Sequence, residues 1–392
     1  MNLPLGYAYS AVYAGIRQAP KDDLALIVSG LPANAAAVFT QNRVQAAPVK
    51  LGRRNLSLSK GLVGAVLVNA GNANCATRTG DAVAAATSRA AAKLLRLPPV
   101  QVLPASTGVI GVELDPRRIV DALPALIAGL RADRFSDAAH AILTTDLVPK
   151  MAFGEVRLRR GIVRIAGMTK GSGMIQPRMA TTLGFVMTDA NIPGAPLRAM
   201  LKRSVERSYN RISVDGDTST NDTLLLLANG ASGVRPDPKE MARVEEAIAG
   251  VMENLAIAIA RDGEGARKLV TILISGAPTG DAAGRMARAI ANSPLVKTAI
   301  AGSDPNWGRI LSAAGNSGVA FDPAKVDIHM QGVAVCRGGL AAPFVESELK
   351  QKLDAPDCEI RLAIRGKGKG TARFWTCDLT EDYIRINASY RT

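Results

Sequence analysis

The sequence predicts an α/β protein built from two or three domain-sized units. Short strand-like apolar runs alternate with longer helix-like ones along the chain. A length of 392 residues provides enough chain for a large core. Hydrophobic residues make up 47%, the composition of a folded chain and not of a disordered one.

The elements follow in order. Leu62–Val68 is a short apolar run ending in a glycine and asparagine cluster, which reads as a buried strand entering a loop. Asp81 is placed to cap an alanine-rich helix that runs to about Leu95, where Pro98-Pro99 stops it. Pro196 opens another helix, with Leu197, Met200, Leu201 and Val205 at helical spacing. The clearest helix spans Lys239–Arg261, because Met241, Val244, Ile248, Met252, Leu255 and Ile259 form one face. Asp262-Gly263 ends it; a strand follows over Leu269–Ile274, then a helix over about Asp281–Asn292. Composition shifts at Gly276-Ala-Pro-Thr-Gly280, which predicts a larger domain of about residues 1–278 and a smaller one of about 279–392. The smaller domain is expected to carry strands near Val326–Met330, Cys358–Ile364 and Ala372–Cys377, with a helix near Val345–Leu353. A last strand is expected over Tyr383–Asn387, and Lys367-Gly-Lys-Gly370 reads as a turn between strands.

Several function classes are disfavoured. The net charge of +14 has two readings: a generally basic surface, or electrostatic attraction of small anionic molecules. Basic pairs are scattered (Arg53-Arg54, Arg117-Arg118, Arg159-Arg160) instead of forming a stripe, and aromatics are only 4%, so no nucleic-acid partner is expected. Cys75, Cys336, Cys358 and Cys377 show no C-x-x-C spacing and read as buried hydrophobes in a reduced compartment. Neither His140 nor His329 sits in a metal-binding pattern. So few histidines favour a nucleophile that brings its own base. The amino terminus lacks the features of a secretion signal, and no apolar run approaches the roughly 18 residues that cross a bilayer. The expectation is a cytoplasmic protein with no membrane partner. Gly171-Ser-Gly173 and Gly263-Glu-Gly265 fail to complete a dinucleotide fingerprint, and no phosphate-loop motif occurs. Asp215–Asp222 lacks the distal glutamate of a calcium loop and reads as a turn; neither a metal nor an organic cofactor is implied.

The most informative segment is Lys170-Gly-Ser-Gly-Met-Ile-Gln-Pro-Arg-Met-Ala-Thr181. It places an Ala180-Thr181 bond after a glycine-rich loop and before an apolar run. A threonine hydroxyl there can attack the carbonyl of Ala180, giving an ester that water opens. The new terminus at Thr181 would carry both a nucleophilic oxygen and a free amine of pKa about 7.7–8.0, able to act as base for its own hydroxyl.

This stretch resembles the processing site of the ornithine acetyltransferase (glutamate N-acetyltransferase) family. Further segments resemble the family's signatures: Phe39-Thr-Gln-Asn-Arg43, Ala46-Ala-Pro48, Asn69–Asn74, Ser106–Gly111, Thr144-Thr-Asp146, Asn210–Asp222, Asp262–Ala266, Ser303–Arg309 and Tyr383–Thr392. They cover nearly the whole chain, in the family's order. The resemblance implies cleavage between Ala180 and Thr181 into an alpha chain (1–180) and a beta chain (181–392), two of each in a heterotetramer. It implies Thr181 as the nucleophile that carries the acetyl group, with Thr107 (hydroxyl) and Gly108 (backbone N–H) stabilising the oxyanion. Thr144, Lys170, Thr181, Glu264, Asn387 and Thr392 would hold substrate. The implied reaction is transfer of acetyl from N-acetylornithine to glutamate, in cyclic arginine biosynthesis. The alternatives are a bifunctional form that also uses acetyl-CoA as a substrate, and a related amidohydrolase or aminopeptidase. The implied fold is a helix–sheet–sheet–helix sandwich with a smaller second domain.

Overall fold

A computed structural model describes residues 2–176 and 182–389. In chain order the first elements are β1 (Tyr7–Val12), β2 (Leu24–Phe39), α1 (Ala47–Leu58), β3 (Leu62–Asn72), α2 (Gly80–Leu95), β4 (Val102–Val109), α3 (Pro116–Ala128) and α4 (Phe135–Ala141). Then come β5 (Lys150–Leu158), β6 (Gly161–Lys170), β7 (Leu183–Thr188), α5 (Gly194–Arg207), β8 (Thr223–Ala228) and α6 (Pro238–Arg261). The chain ends with β9 (Leu269–Ala277), α7 (Gly280–Ala291), α8 (Pro294–Ala301), α9 (Trp307–Gly315), β10 (Val326–Met330), β11 (Val333–Arg337), β12 (Leu340–Ala341), α10 (Glu346–Leu353), β13 (Asp357–Ile364), β14 (Gly370–Cys377) and α11 (Glu381–Ser389). Among the described residues two compact units result: one holds those through Asn210 together with Asp217–Ile259, the other holds Arg211–Gly216 and residues 260–389.

The first unit is organised by an eight-stranded sheet of order β4-β3-β2-β8-β7-β6-β5, with β1 pairing β2. The long β2 carries β1 along Leu24–Ser29 and β8 along Asn34–Phe39, and its pairing with β3 shifts register between Val28 and Ala33. Such an irregularity bends a strand. One core cluster accordingly joins Ala25, Ile27, Val66 and Val68 to Met168, Phe185, Met187 and Leu225, so that the two halves of the sheet face each other. Alternate residues Leu24, Leu26, Ala65 and Leu67 turn the other way and meet Val83 and Ala91 of α2 and Ile119, Leu123 and Leu126 of α3. On the far side, Val251 and Leu255 of α6 lie against Gly154 and Gly167 of β5 and β6, where glycine lets the helix approach the strands. The layers therefore run helix, sheet, sheet, helix, as expected, within one continuous hydrogen-bonded sheet. In α6, Val244, Ile248, Met252, Leu255 and Ile259 are buried. A reciprocal cap starts that helix: Asp237 Oδ1 accepts from the Glu240 N–H at 2.9 Å, and Glu240 Oε2 from the Asp237 N–H at 3.1 Å.

The second unit contains a six-stranded sheet of order β12-β11-β10-β13-β9-β14. Its core unites Ile272, Ile274, Ile328, Ile360 and Phe374 with Met286 and Ile290 of α7, Ile310 of α9 and Leu349 of α10. All four cysteines are buried free thiols, and burial pushes the Cys358 thiol up to about 11.

Three expectations are corrected. The second unit begins near Ala260, not near residue 279, because β9 pairs with β13 and β14 and so belongs to the six-stranded sheet. The segment Tyr383–Asn387 is helical, within α11. Its hydrophobic alternation resembles a strand, yet Thr380 Oγ1 accepts the Asp382 N–H at 3.2 Å and Glu381 and Asp382 fill the acidic first turn, both helix-starting features. Asp81 lies in the first turn of α2 and not at its cap, a position that Thr79 occupies.

Candidate active site

In the first unit, the candidate oxyanion residues Thr107 and Gly108 lie at the carboxyl end of β4. Parallel pairing sets Asn69 opposite Ser106, Ala70 opposite Thr107 and Gly71 opposite Gly108. Gly108 has φ +126°, and a Cβ there would sit 2.3 Å from the carbonyl carbon of Gly71, so no larger residue fits without parting the strands. Two asparagines lock this end. Asn69 Nδ2 donates to Ser106 Oγ at 2.8 Å, and Asn221 Nδ2 donates to the carbonyls of Ala73 (2.6 Å) and Ser106 (2.8 Å). Asn221 belongs to the Asn210–Asp222 segment. The same segment receives Asn42 Nδ2 on the Thr218 carbonyl at 3.1 Å and Thr40 Oγ1 on the Ser219 carbonyl at 2.7 Å. Asn221→Ala would strand two buried carbonyls, each costing roughly 1–3 kcal/mol. A fall of that size per carbonyl in unfolding free energy is expected by chemical denaturation, whereas an unchanged midpoint would contradict the lock.

Arg17 ties this strand end to the next segment. Its guanidinium donates to the carbonyls of Ala70 (2.6 Å) and Leu143 (2.7 Å), the register partner of Thr107 and the residue before Thr144.

Thr144 and Lys170 meet around a carboxylate. The hairpin of β5 and β6 pairs Lys150 with Thr169, which brings both open ends of the hairpin to one place. There the wholly buried Asp146 accepts from Gly171 N–H (2.6 Å) and Lys150 Nζ (2.7 Å) on Oδ1, and from Thr144 N–H (3.1 Å) on Oδ2. Lys170 Nζ stands 3.7 Å from Oδ2. Thr145 Oγ1 and Ser172 Oγ add a hydrogen bond of 2.8 Å between the same two segments. Burial alone would raise the Asp146 carboxyl. The Lys170 and Lys150 ammonium groups and the Gly171 N–H more than offset it and hold the carboxyl well below the usual carboxylate range.

Ala180, Thr181 and Thr392 lie outside the described residues. Thr182, covalently next to Thr181, is buried, and its carbonyl accepts the Thr223 N–H at 2.9 Å. Leu183 pairs with Lys170, and its carbonyl accepts Thr169 Oγ1 at 2.9 Å.

In the second unit, Glu264 is buried in the loop after α6, and its Oε2 accepts Asn387 Nδ2 of α11 at 2.9 Å. Gly265, with φ +69°, allows the α11 backbone close: a Cβ there would lie 2.4 Å from the Tyr383 nitrogen. Both members of this pair are among the residues that the motif resemblance assigns to substrate.

The motif Thr144-Thr-Asp146 contains Asp146 without marking a role for it. Its i,i+4 spacing from Lys150 is the signal that could have found it. Asn221 and Arg17 carried no such signal, since their partners are backbone carbonyls from distant segments. Among the described residues no group of three or more His, Cys, Asp or Glu side chains could hold a metal ion. No helix among them is long and apolar enough to cross a membrane.

A two-sheet α/β fold carrying these motifs matches known proteins. The ArgJ family model matches residues 8–392. The arginine biosynthesis bifunctional protein ArgJ of Thermus thermophilus is 48% identical, covering 100% of both chains, and that of Thermosynechococcus vestitus is 44% identical, covering 99% of this chain and 96% of its own. A crystal structure of the arginine biosynthesis bifunctional protein argJ of Bacillus halodurans is 40% identical and superposes with a TM-score of 0.51, over 53% of this chain and 98% of the solved one. The protein is an acyltransferase of arginine biosynthesis. It belongs to the ArgJ family.

Proposed function

We propose that the chain is a self-processing glutamate N-acetyltransferase. The observation that carries this reading is the placement of β7: it starts just after the Ala180-Thr181 bond and is held at once by Thr223, Thr169 and Lys170. A terminus released at Thr181 would be tethered to a fixed strand, and a fixed nucleophile is what acyl transfer needs. The solved Bacillus halodurans chain, matched over 98% of itself by 53% of this one, is in keeping with a chain cut near its middle.

In the first step the Thr181 hydroxyl attacks the Ala180 carbonyl, the Ala180–Thr181 C–N bond breaks, and the acyl group passes to oxygen. Water hydrolyses that ester, releasing the Ala180 carboxylate and leaving Thr181 with a free amine. In turnover the hydroxyl attacks the acetyl carbonyl of N-acetylornithine. The amine takes the hydroxyl proton and passes it to the departing nitrogen of ornithine. The glutamate amine then attacks the acetyl ester on Thr181, and the proton it loses returns through the Thr181 amine to the hydroxyl as N-acetylglutamate leaves. Thr107 and Gly108 are assigned to the oxyanion of each tetrahedral intermediate. Lys170 and Thr144 are assigned to a substrate carboxylate, and Glu264, oriented by Asn387, has the charge that suits an ammonium group. Thr392 is assigned a hydrogen bond to substrate. No cofactor is required, and the two chain halves are expected to stay associated as a heterotetramer in the cytoplasm.

The word bifunctional in the relatives' names favours a second reading of the same site, in which acetyl-CoA also acylates Thr181. Acetyl transfer to glutamate is to be measured from N-acetylornithine and, separately, from acetyl-CoA. Transfer from the first donor is expected in either case, and transfer from both marks the bifunctional form. Hydrolysis without transfer would contradict the proposal and favour the amidohydrolase alternative.

A further inference from the structure

The hydrogen bonds around Asp146 are divided unequally between its two lysines. A carboxylate offers about four acceptor sites. Three are filled at hydrogen-bond distance, by Gly171 N–H (2.6 Å), Lys150 Nζ (2.7 Å) and Thr144 N–H (3.1 Å). Lys170 Nζ, at 3.7 Å, is near enough for attraction and too far for a hydrogen bond. Among the described residues its ammonium donates no hydrogen bond, although its side chain is only 10% exposed. A buried ammonium normally commits its donors. Here the counter-charge holds the cation in place and leaves its three N–H groups to a ligand.

We propose that Asp146 is a positioning residue for acetyl transfer: it fixes the turn Lys170-Gly171 through the Gly171 N–H and holds Lys170 Nζ, uncommitted, toward the carboxylate of the acyl donor. This rests on the assignment of Lys170 to a substrate carboxylate. The hairpin geometry supports it independently, because the Lys150–Thr169 pairing forces residues 146 and 170–171 together whatever the ligand. Asp146 touches no substrate in this scheme. It acts only through Lys170 and the turn.

The test is a double-mutant cycle on the full chain, after checking by gel that each variant is processed and by circular dichroism that it is folded. N-acetylornithine and its carboxyl-blocked methyl ester are compared as donors. Lys170→Met is expected to raise KM for N-acetylornithine at least about tenfold, as loss of a charge-assisted hydrogen bond should, and to bring acid and ester to similar KM. Asp146→Asn is expected to raise KM for the acid several-fold, changing kcat less, and to narrow the acid-to-ester difference. The double variant should be no worse than Lys170→Met alone, since coupled residues are non-additive. Additive losses, or an Asp146→Asn acid-to-ester ratio equal to wild type, would overturn the proposal while sparing the Lys170 assignment. A Lys170→Met enzyme with unchanged KM and unchanged discrimination would instead overturn the assignment, and the proposal with it. If Asp146→Asn does not fold, Asp146→Glu enters the same cycle. Failure of both to yield folded protein would make Asp146 a residue of folding and overturn the positioning role.

Discussion

Thr181→Ala is expected to remain a single 392-residue polypeptide and to transfer no acetyl group. The substitution removes the only atom that can shift the acyl group from nitrogen to oxygen, so the Ala180-Thr181 bond has no route to cleavage. Without cleavage there is no terminal amine, and the site loses nucleophile and base together. In enzymes whose nucleophile and base act as a unit, losing one costs about as much as losing all, of order 10⁶ in rate. Thr181→Ser separates the chemistry from the fold. It keeps the hydroxyl and the future amine, so it should still be cut and still transfer, at a reduced rate. The readouts are a denaturing gel and an acetyl-transfer assay on the same preparations. A Thr181→Ala chain that is cut at 180/181, or that turns over at more than background, would contradict this role.

Gly108→Ala is expected to have the next largest effect. Its Cβ would fall 2.3 Å from the carbonyl carbon of Gly71, 2.5 Å from the oxygen and 2.7 Å from the Asn72 nitrogen. All three are backbone atoms inside a parallel strand pair, so no side chain can swing away. The φ of +126° is itself unsuited to alanine. The strands must part, which takes the candidate N–H donor away from the oxyanion. Loss of one such donor costs about 10²–10³ in kcat, and the strain should lower stability by about 1–3 kcal/mol as well. Rate and melting temperature should therefore fall together, with KM less affected. Wild-type kcat in a folded Gly108→Ala enzyme would remove this glycine from the mechanism.

The parts of the molecule legible in the sequence are those whose signal is local. The face of α6 is written in six apolar residues at helical spacing, and the structure buries five of them with Met241 half-covered. The turn expected at Lys367–Gly370 joins β13 to β14, with Gly370 as the first residue of β14. Long-range pairing was not legible. Nothing near Leu269–Ala277 announces that its partner strand β13 lies about ninety residues downstream, so a boundary read from local composition falls beyond β9. At Tyr383–Asn387 two local signals competed, and the Thr380 cap prevailed over a strand-like alternation. The candidate site shows the same division. Thr107, Gly108, Thr144, Lys170, Glu264 and Asn387 are legible in the sequence through motif resemblance. What the structure adds is their supports: Asn221 behind Ser106, Arg17 between two segments, and Asp146 beneath Lys170. These supports depend on a bent β2 and the β5–β6 hairpin, and neither is visible in composition or spacing.

The most direct test of the central claim is an acid-quenched reaction with N-acetylornithine and no acceptor, digested and read by mass spectrometry. A peptide that begins at Thr181 and is heavier by one acetyl group is expected, and glutamate added before the quench should discharge it. An active preparation in which residues 180 and 181 remain joined, or in which no acetyl group is found on Thr181, would contradict the mechanism.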